Sequence, residues 1–474
     1  MSETFELAVI GAGPAGLEAA ITAAEAGVTT VLIDAFPQAG GQYYKALPAA
    51  FTASRKTAVE KEGQLLVQMV NGLPVTRLYN ALTWGIFKEE NGPGWLITLY
   101  GSDVPKQVHA RMLVLASGAY DTPVAFPGWT LPGVITCGAA LILLKSQRAA
   151  PFKRALLSGT GPLLLSGAAH LIDAGVEVVG VCECNRLKPG AVLYGPTMLG
   201  EWQRLEEGAS YLSILARGKA PYKMGWSVVE AHGKEHVEEA VIARISDSGV
   251  AITGTQQTIP VDTVVCGYGL TPNSGLARMI GCKFEYDAHK GGWRPRRDET
   301  MQTSLPGVYA AGDCAGIGGA ENSRLEGRIA GTAAALETGH LSKQQAGEFY
   351  GRIKTKLAQQ RRFGKLLGDL FTPQPGLISL AHDDTIICRC EEIRLAEVKA
   401  AVAAGARTIG EVKMVTRVGM GNCQGRMCEH SVVNAIIQEL VQEKVTAETV
   451  GMYSVRPPLQ PLPVGVLAEA GAEA

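Results

Sequence analysis

No stretch of the sequence approaches the roughly 18–20 uninterrupted apolar residues that cross a bilayer, so no membrane span is expected. Neither charge is in surplus: 44 Lys and Arg face 45 Asp and Glu, a net charge of −1. That balance removes the bulk electrostatic basis for binding nucleic acid or anionic lipid. No basic stretch precedes the first apolar run, so a secretory leader is not expected. Ten cysteines in 474 residues are too thinly spread for a disulfide framework. The expected address is a reducing cytoplasm, with membrane contact only through an electron acceptor; there, clustered cysteines bind metal or do redox work. At 46% hydrophobic, the chain is too apolar for disorder, and its length calls for two or three cores.

Glycine is what the sequence has in excess. Average usage would supply about 33, and the chain has 57. Glycine is costly inside regular elements, so an excess marks sharp turns and close backbone approach to ligands. The run Glu6–Ile10 reads as a buried strand, followed by Gly11-Ala12-Gly13-Pro14-Ala15-Gly16 and an alanine-rich helix. A second strand, Val28–Ile33, ends in Asp34. Strand, glycine turn, helix, strand and acid together form the context of a dinucleotide fingerprint. Gly11 permits the turn, Gly13 lets backbone approach a pyrophosphate, and Gly16 lets the helix pack on the strand. The helix N-terminus offers free N–H groups to the diphosphate, and Asp34 is placed to accept from ribose hydroxyls.

Gly40-Gly41-Gln42 follows the second strand closely. Far downstream, Thr303–Asp313 is a short buried strand ending in Gly312-Asp313, with a helix through Arg324–Ala335. With these segments the sequence resembles the two-dinucleotide-binding flavoproteins, a family that includes the disulfide reductases. The resemblance implies that the first site holds FAD and that Asp313 lies near the flavin ribityl and pyrophosphate.

The organisation recurs. Arg154–Ser158 is a strand, Gly159-Thr160-Gly161-Pro162 a second glycine turn, Leu163–Asp173 a helix, and Val176–Glu183 a strand ending in an acid. Each half closes on a glycine-bearing strand end, Leu115-Ala116-Ser117-Gly118 and Val265-Cys266-Gly267-Tyr268-Gly269. Before each closing strand, Trp84–Leu99 and Val228–Thr255 alternate like small antiparallel meanders. The expected fold is α/β, two Rossmann-like units with the second inserted in the first, as in glutathione reductase. Leu164 stands in the third glycine position of the second turn, which keeps helix and strand further apart. Gly159, Gly161 and Glu183 are candidates for NAD(H), Glu183 favouring NAD over NADP, or for a structural adenine nucleotide; an empty, degenerate site is the alternative.

A dithiol reductase needs two cysteines a few residues apart beside the flavin. Cys137 stands alone, and Cys182 and Cys184, two apart on one face of a strand, follow the acid-ended strand and not the flavin's own helix, so dithiol chemistry is not expected. Cys266, Cys282 and Cys314 read as small buried hydrophobes. His170 reads as structural and Arg361-Arg362 with Lys365 as a solvated face. No side chain stands out as a general base, and the catalytic residues stay unassigned.

After Pro373 and Pro375 the composition changes. Cys388-Arg389-Cys390 opens a new segment, and Cys423 and Cys428 follow as C-x4-C, with helices at Leu395–Ala404 and Ser431–Glu443. Four thiolates in two close pairs can cage zinc or hold an iron–sulfur cluster. Zinc knuckles favour C-x2-C, which neither pair has, and the glycines before Cys423 expose backbone amides to an anionic cluster. The segment resembles the bacterioferritin-associated-ferredoxin type of [2Fe–2S] domain, with C-x4-C where the small ferredoxins have C-x2-C. Zinc, or loss of the cluster, are the alternatives.

Taken in order, the expected domains are an FAD-binding part at 1–125, an inserted nucleotide-binding domain at 126–290, a second FAD-binding part at 291–375, a helical four-cysteine [2Fe–2S] domain at 380–450 and a proline-rich tail at 451–474. The whole resembles the FAD/[2Fe–2S] alpha-type subunits of bacterial opine oxidases (octopine and nopaline), D-hydroxyproline dehydrogenase and hydrogen cyanide synthase, through Gly11, Gly13, Gly16, Gly40-Gly41-Gln42, Gly312-Asp313, Glu326-Gly327-Arg328 and the four late cysteines. That resemblance implies an electron-transferring subunit working with an amine-oxidising flavoprotein and a small ferredoxin-like subunit. Two other readings stand beside it, a self-sufficient NADH:acceptor oxidoreductase and a non-catalytic nucleotide-binding scaffold.

Overall fold

β-Branched and leucine-rich runs bounded by glycine form the strands, and alanine-rich stretches form the helices between them. The structure, a computed structural model, describes residues 4–45, 58–89, 92–186 and 201–472. Positions 90–91, inside the expected first meander, lie outside the described residues. The chain divides into two units. One comprises Met1–Ala119, Thr271–Gly364 and Ser454–Ala474, and the other Tyr120–Leu270 and Lys365–Tyr453.

The first unit is built on a seven-stranded sheet. Strands Val75–Leu78, Thr30–Ile33, Thr4–Ile10 and Gln107–Leu115 lie side by side in parallel, and Val308–Ala310 also joins Gln107–Leu115 in parallel. Leu82–Lys88 and Trp95–Tyr100 extend the sheet as an antiparallel hairpin. Thr4–Ile10 is central, and its Leu7, Ala8 and Val9 are wholly buried, as expected of a strand covered on both faces. Helices Pro14–Glu25 and Ala320–Glu337 pack in direct backbone contact. A Cβ on Gly327 would lie 2.1 Å from the Ala15 carbonyl oxygen, and one on Gly331 2.5 Å from that of Ala19. Only glycine permits this approach.

The second unit has a five-stranded parallel sheet in the order Tyr222–Met224, Glu177–Glu183, Arg154–Thr160, Thr263–Tyr268, Val134–Thr136. A separate antiparallel sheet, Trp226–His232, Glu239–Arg244 and Gln257–Pro260, is the second meander. The segment from Lys365 adds the end of the long helix Lys343–Phe371, a two-stranded ribbon at Ile386–Cys388 and Ile393–Arg394, and helices Leu395–Ala403, Ile409–Thr416 and Glu429–Glu439. The Trp129 indole donates to the Ile386 carbonyl at 2.6 Å, and the Arg389 guanidinium to that of Thr130 at 3.3 Å. These bonds tie the cysteine ribbon to the loop before Val134.

Among the described residues no helix is long and apolar enough to cross a membrane.

Candidate cofactor sites

In the first glycine turn each glycine does a different job. Gly11 has φ +107°, and a Cβ there would sit 2.3 Å from the Ala116 carbonyl oxygen, so the turn is pressed against the strand end that carries Ser117 and Gly118. A Cβ on Gly16 would lie 1.7 Å from the Gly11 carbonyl oxygen. Gly13 is different, since its Cβ would meet only the Gly41 Cα, at 3.8 Å. The Gly40 N–H donates to the Ala12 carbonyl at 2.8 Å and folds Gly40-Gly41 back over Gly13. Gln42 is exposed beside them and accepts from the Lys45 ammonium at 3.4 Å. Pro14 opens the helix where its missing N–H costs nothing. The turn is therefore a side-chain-free cradle at a helix N-terminus, which fits a pyrophosphate.

Asp34 spends both carboxylate oxygens on backbone, accepting from Ala12 N–H at 2.5 Å and Phe36 N–H at 2.8 Å. Burial raises its pKa above the ordinary value, and those two N–H groups pull it back. These two bonds brace the glycine turn against the end of the second strand.

Gly312 (φ +80°) reaches the same helix, for its Cβ would be 2.9 Å from the Ala15 Cβ. The Gly312 N–H donates to Glu326 Oε2 at 2.9 Å, and Glu326 is gripped bidentately by Arg297 at 2.7 and 2.8 Å. Burial pushes the Glu326 carboxyl up, but the Arg297 guanidinium prevails and leaves its pKa below the ordinary value. Asp313 Oδ1 accepts from the Gly318 and Gly319 N–H groups at 2.9 and 3.1 Å, which holds it at the start of helix Ala320–Glu337. Ser117 donates to the Asn273 carbonyl at 2.6 Å, and Asn273 returns bonds to the Ser117 and Gly118 carbonyls. Asn273 and Arg297 were not singled out from the sequence, and no periodicity or motif spacing marks them.

The second turn is again a strand–glycine–helix junction, with Gly161 at φ +97° where Gly13 has φ −77°. Gly159 lies against Gly267, its Cβ position 2.0 Å from the Gly267 carbonyl oxygen. Leu164 is buried with its side chain toward Gly267, and the helix instead makes its close approach at Gly167, against the Cys137 sulfur. Glu183 accepts from Gly161 N–H at 2.9 Å and Asn185 N–H at 3.0 Å. Phe371 packs beside Gly161, its Cβ 3.7 Å from the glycine's Cβ position. Thr160 Oγ1 donates to the Phe371 carbonyl, Asn185 Nδ2 to that of Thr372, and Gln374 Nε2 to Asn185 Oδ1. A cavity of about 20 Å³ lined by Cys184, Asn185 and Gln374 has room for about one water.

Cys137, Cys182, Cys266 and Cys314 are buried, and burial pushes their thiols up, Cys182 and Cys266 to about 12. Such thiols are poor nucleophiles. His170 is half-buried and bonded to the Ser166 carbonyl at 2.7 Å.

The four late cysteines converge. Cys388 and Cys390 sulfurs lie 3.9 Å apart, and Cys390 and Cys423 3.7 Å. The Cys428 thiol bonds to Cys388, which holds the Cys388 thiol below its ordinary pKa and raises that of Cys428. The Gly419 N–H donates to the Cys388 sulfur at 3.5 Å, and a Cβ on Gly421 would be 2.5 Å from the Cys390 sulfur. Cys388 and Cys428 are fully buried while Cys390 is exposed. Among the described residues no group of three His, Cys, Asp or Glu is arranged to hold a single metal ion. The sulfurs instead run as a string of neighbours, a donor set that fits a two-iron cluster held by four thiolates.

Residues 5–339 match the family described as pyridine nucleotide-disulphide oxidoreductase, and residues 386–439 the BFD-like [2Fe-2S] binding domain. The chain is 32% identical to an opine oxidase subunit of Agrobacterium tumefaciens (strain Ach5), covering 99% of this chain and 92% of that one. It is 31% identical to hydrogen cyanide synthase subunit HcnB of Pseudomonas protegens, covering 98% of each. Among solved structures it is similar to L-proline dehydrogenase from P. horikoshii, with a TM-score of 0.71 at 20% identity over 98% of this chain and 79% of that one. Thioredoxin reductase of T. acidophilum is similar over 71% of this chain and 99% of its own, with a TM-score of 0.53 and 20% identity.

Proposed function

Because the chain belongs to the pyridine nucleotide-disulphide oxidoreductase family and carries a BFD-like [2Fe-2S] domain, we propose that its electrons come from the C–N bond of an amino acid or secondary amine, opened on a partner flavoprotein. The chain is an FAD-dependent oxidoreductase with a [2Fe–2S] cluster and serves as an electron-transferring subunit of a dehydrogenase. When bound, FAD takes electrons in pairs and releases them singly, and the cluster passes them one at a time.

The protein's part is to hold and insulate. Gly11 to Gly16 with Gly41 and Gln42 cradle the FAD pyrophosphate; Asp34, Ser117, Gly118, Gly312 and Asp313 complete that site, and Cys388, Cys390, Cys423 and Cys428 bind the cluster. No side chain of this chain is assigned a proton-transfer role. The relatives named as subunits of opine oxidase and hydrogen cyanide synthase support a complex of several subunits, and the members we propose are an amine-oxidising flavoprotein and a small ferredoxin-like protein.

The observation that supports this reading over a self-sufficient reductase is the packing of the second turn. A self-sufficient NADH:acceptor oxidoreductase needs Gly161 open to a dinucleotide, and Phe371 packs beside that glycine. Anaerobic mixing of the holoprotein with NADH tests it. The flavin absorption is expected to stay unbleached with NADH and to bleach when the co-expressed partner and its amine are added. Rapid bleaching by NADH alone would overturn the reading.

A further inference from the structure

We propose that Tyr453 sets the reduction potential of the cluster by donating a hydrogen bond to the sulfur of Cys428. The inference rests on the assignment of the four cysteines as cluster ligands. Tyr453 lies beyond residues 386–439, the span matched as the [2Fe-2S] domain, and no cysteine spacing points to it.

The residue is 3% exposed and its hydroxyl lies 3.8 Å from the Cys428 sulfur, which is itself fully buried. The cysteine loop is shaped around the ring. A Cβ on Gly419 would be 2.6 Å from the Tyr453 Cζ, and one on Gly425 2.4 Å from its Cδ2. Both glycines have φ just above +80°. The Lys413 ammonium sits 5.3 Å from the ring centroid, and the Tyr453 N–H donates to Glu429 Oε2 at 3.4 Å. Ring and hydroxyl are therefore fixed by the same loop that delivers Cys423 and Cys428.

Against a thiolate, a phenol can act only as donor, because the sulfur has no proton to give. Reduction by one electron adds one negative charge to the cluster and its ligands, while the phenolic proton stays on its oxygen. A donor aimed at a ligand sulfur stabilises the more negative state more, so it raises the potential. Burial strengthens the effect, since little water is present to screen it.

Tyr453→Phe keeps the ring and removes only the donor. The variant holoprotein is expected to retain iron, sulfide and flavin at the level of the parent, with the cluster midpoint shifted to more negative potential in a spectroelectrochemical titration. An intact cluster with an unshifted midpoint would overturn the proposal. Loss of iron in Tyr453→Phe would also overturn it, because the hydroxyl would then be holding structure rather than tuning potential. Iron and sulfide in the unsubstituted protein, about two of each per chain for four-thiolate ligation, test the cluster assignment separately.

Discussion

Glu326 and Arg297 form a buried, bidentate pair whose purpose is local. Glu326 also accepts from the Gly312 N–H, so the pair fixes the turn that presents Asp313. Replacing Glu326 by Gln leaves the Arg297 charge buried without its counter-ion. Breaking such a pair costs about 3–5 kcal/mol, so Glu326→Gln is expected to lower the thermal midpoint and the FAD content together. The pH dependence has a definite sign. The folded pKa of Glu326 is below its ordinary value of 4.5, so its contribution is fully present above that value. It is lost as pH falls through the lower, folded value. A thermal-melt series toward acid should therefore show the parent losing stability over a window in which Glu326→Gln is flatter. Glu326 was legible only as part of a Glu-Gly-Arg resemblance; Arg297, distant in sequence, was not legible.

At the scale of elements, helix Pro14–Glu25 and helix Ala320–Glu337 meet backbone to backbone through Gly327 and Gly331. Gly327 was visible within Glu326-Gly327-Arg328, but its contact with Ala15, and that of Gly331 with Ala19, was not. Gly327→Ala would place a methyl 2.1 Å from a carbonyl oxygen, a contact that a side-chain rotation cannot relieve. The helices must part, carrying Gly312 away from the first glycine turn. FAD retained through gel filtration should fall sharply in Gly327→Ala, while iron content stays at the parental level. A variant that holds full FAD would show that this contact does not support the site. The cysteine segment follows the same logic, with Gly419, Gly421 and Gly425 each leaving room for a neighbour's side chain.

On the scale of the whole molecule, the expected proline-rich tail proves to be structural. Its Leu459 is 7% exposed within the core that contains Ile10, Ile97 and Leu115, and its N–H donates to the Trp84 carbonyl at 2.8 Å. The first unit is thus assembled from three separated stretches of chain. Large-to-small replacement of a buried leucine costs about 2–5 kcal/mol. Leu459→Ala is expected to bring flavin release, followed by fluorescence on heating, to a lower temperature, with the cluster's visible absorption lost at an unchanged one. Equal shifts of both signals would contradict two separate cores.

The glycine turns, the acids that end the second strands and the paired cysteines were readable because each is a local demand on residue type. A backbone that must approach another group tolerates no Cβ, and a cluster needs thiolates close together. Asn273 at Ser117, Tyr453 at Cys428 and Phe371 at Gly161 obey no such local rule. Each joins residues distant in the chain through packing, which leaves no period or spacing behind. Hence the sequence announced two dinucleotide turns, the second already weakened by Leu164 in its third glycine position. The tertiary structure added what each turn faces, since Gly13 meets only the Gly41 Cα while Gly161 packs beside Phe371 at the end of the chain's own long helix, a contact between residues far apart in the chain.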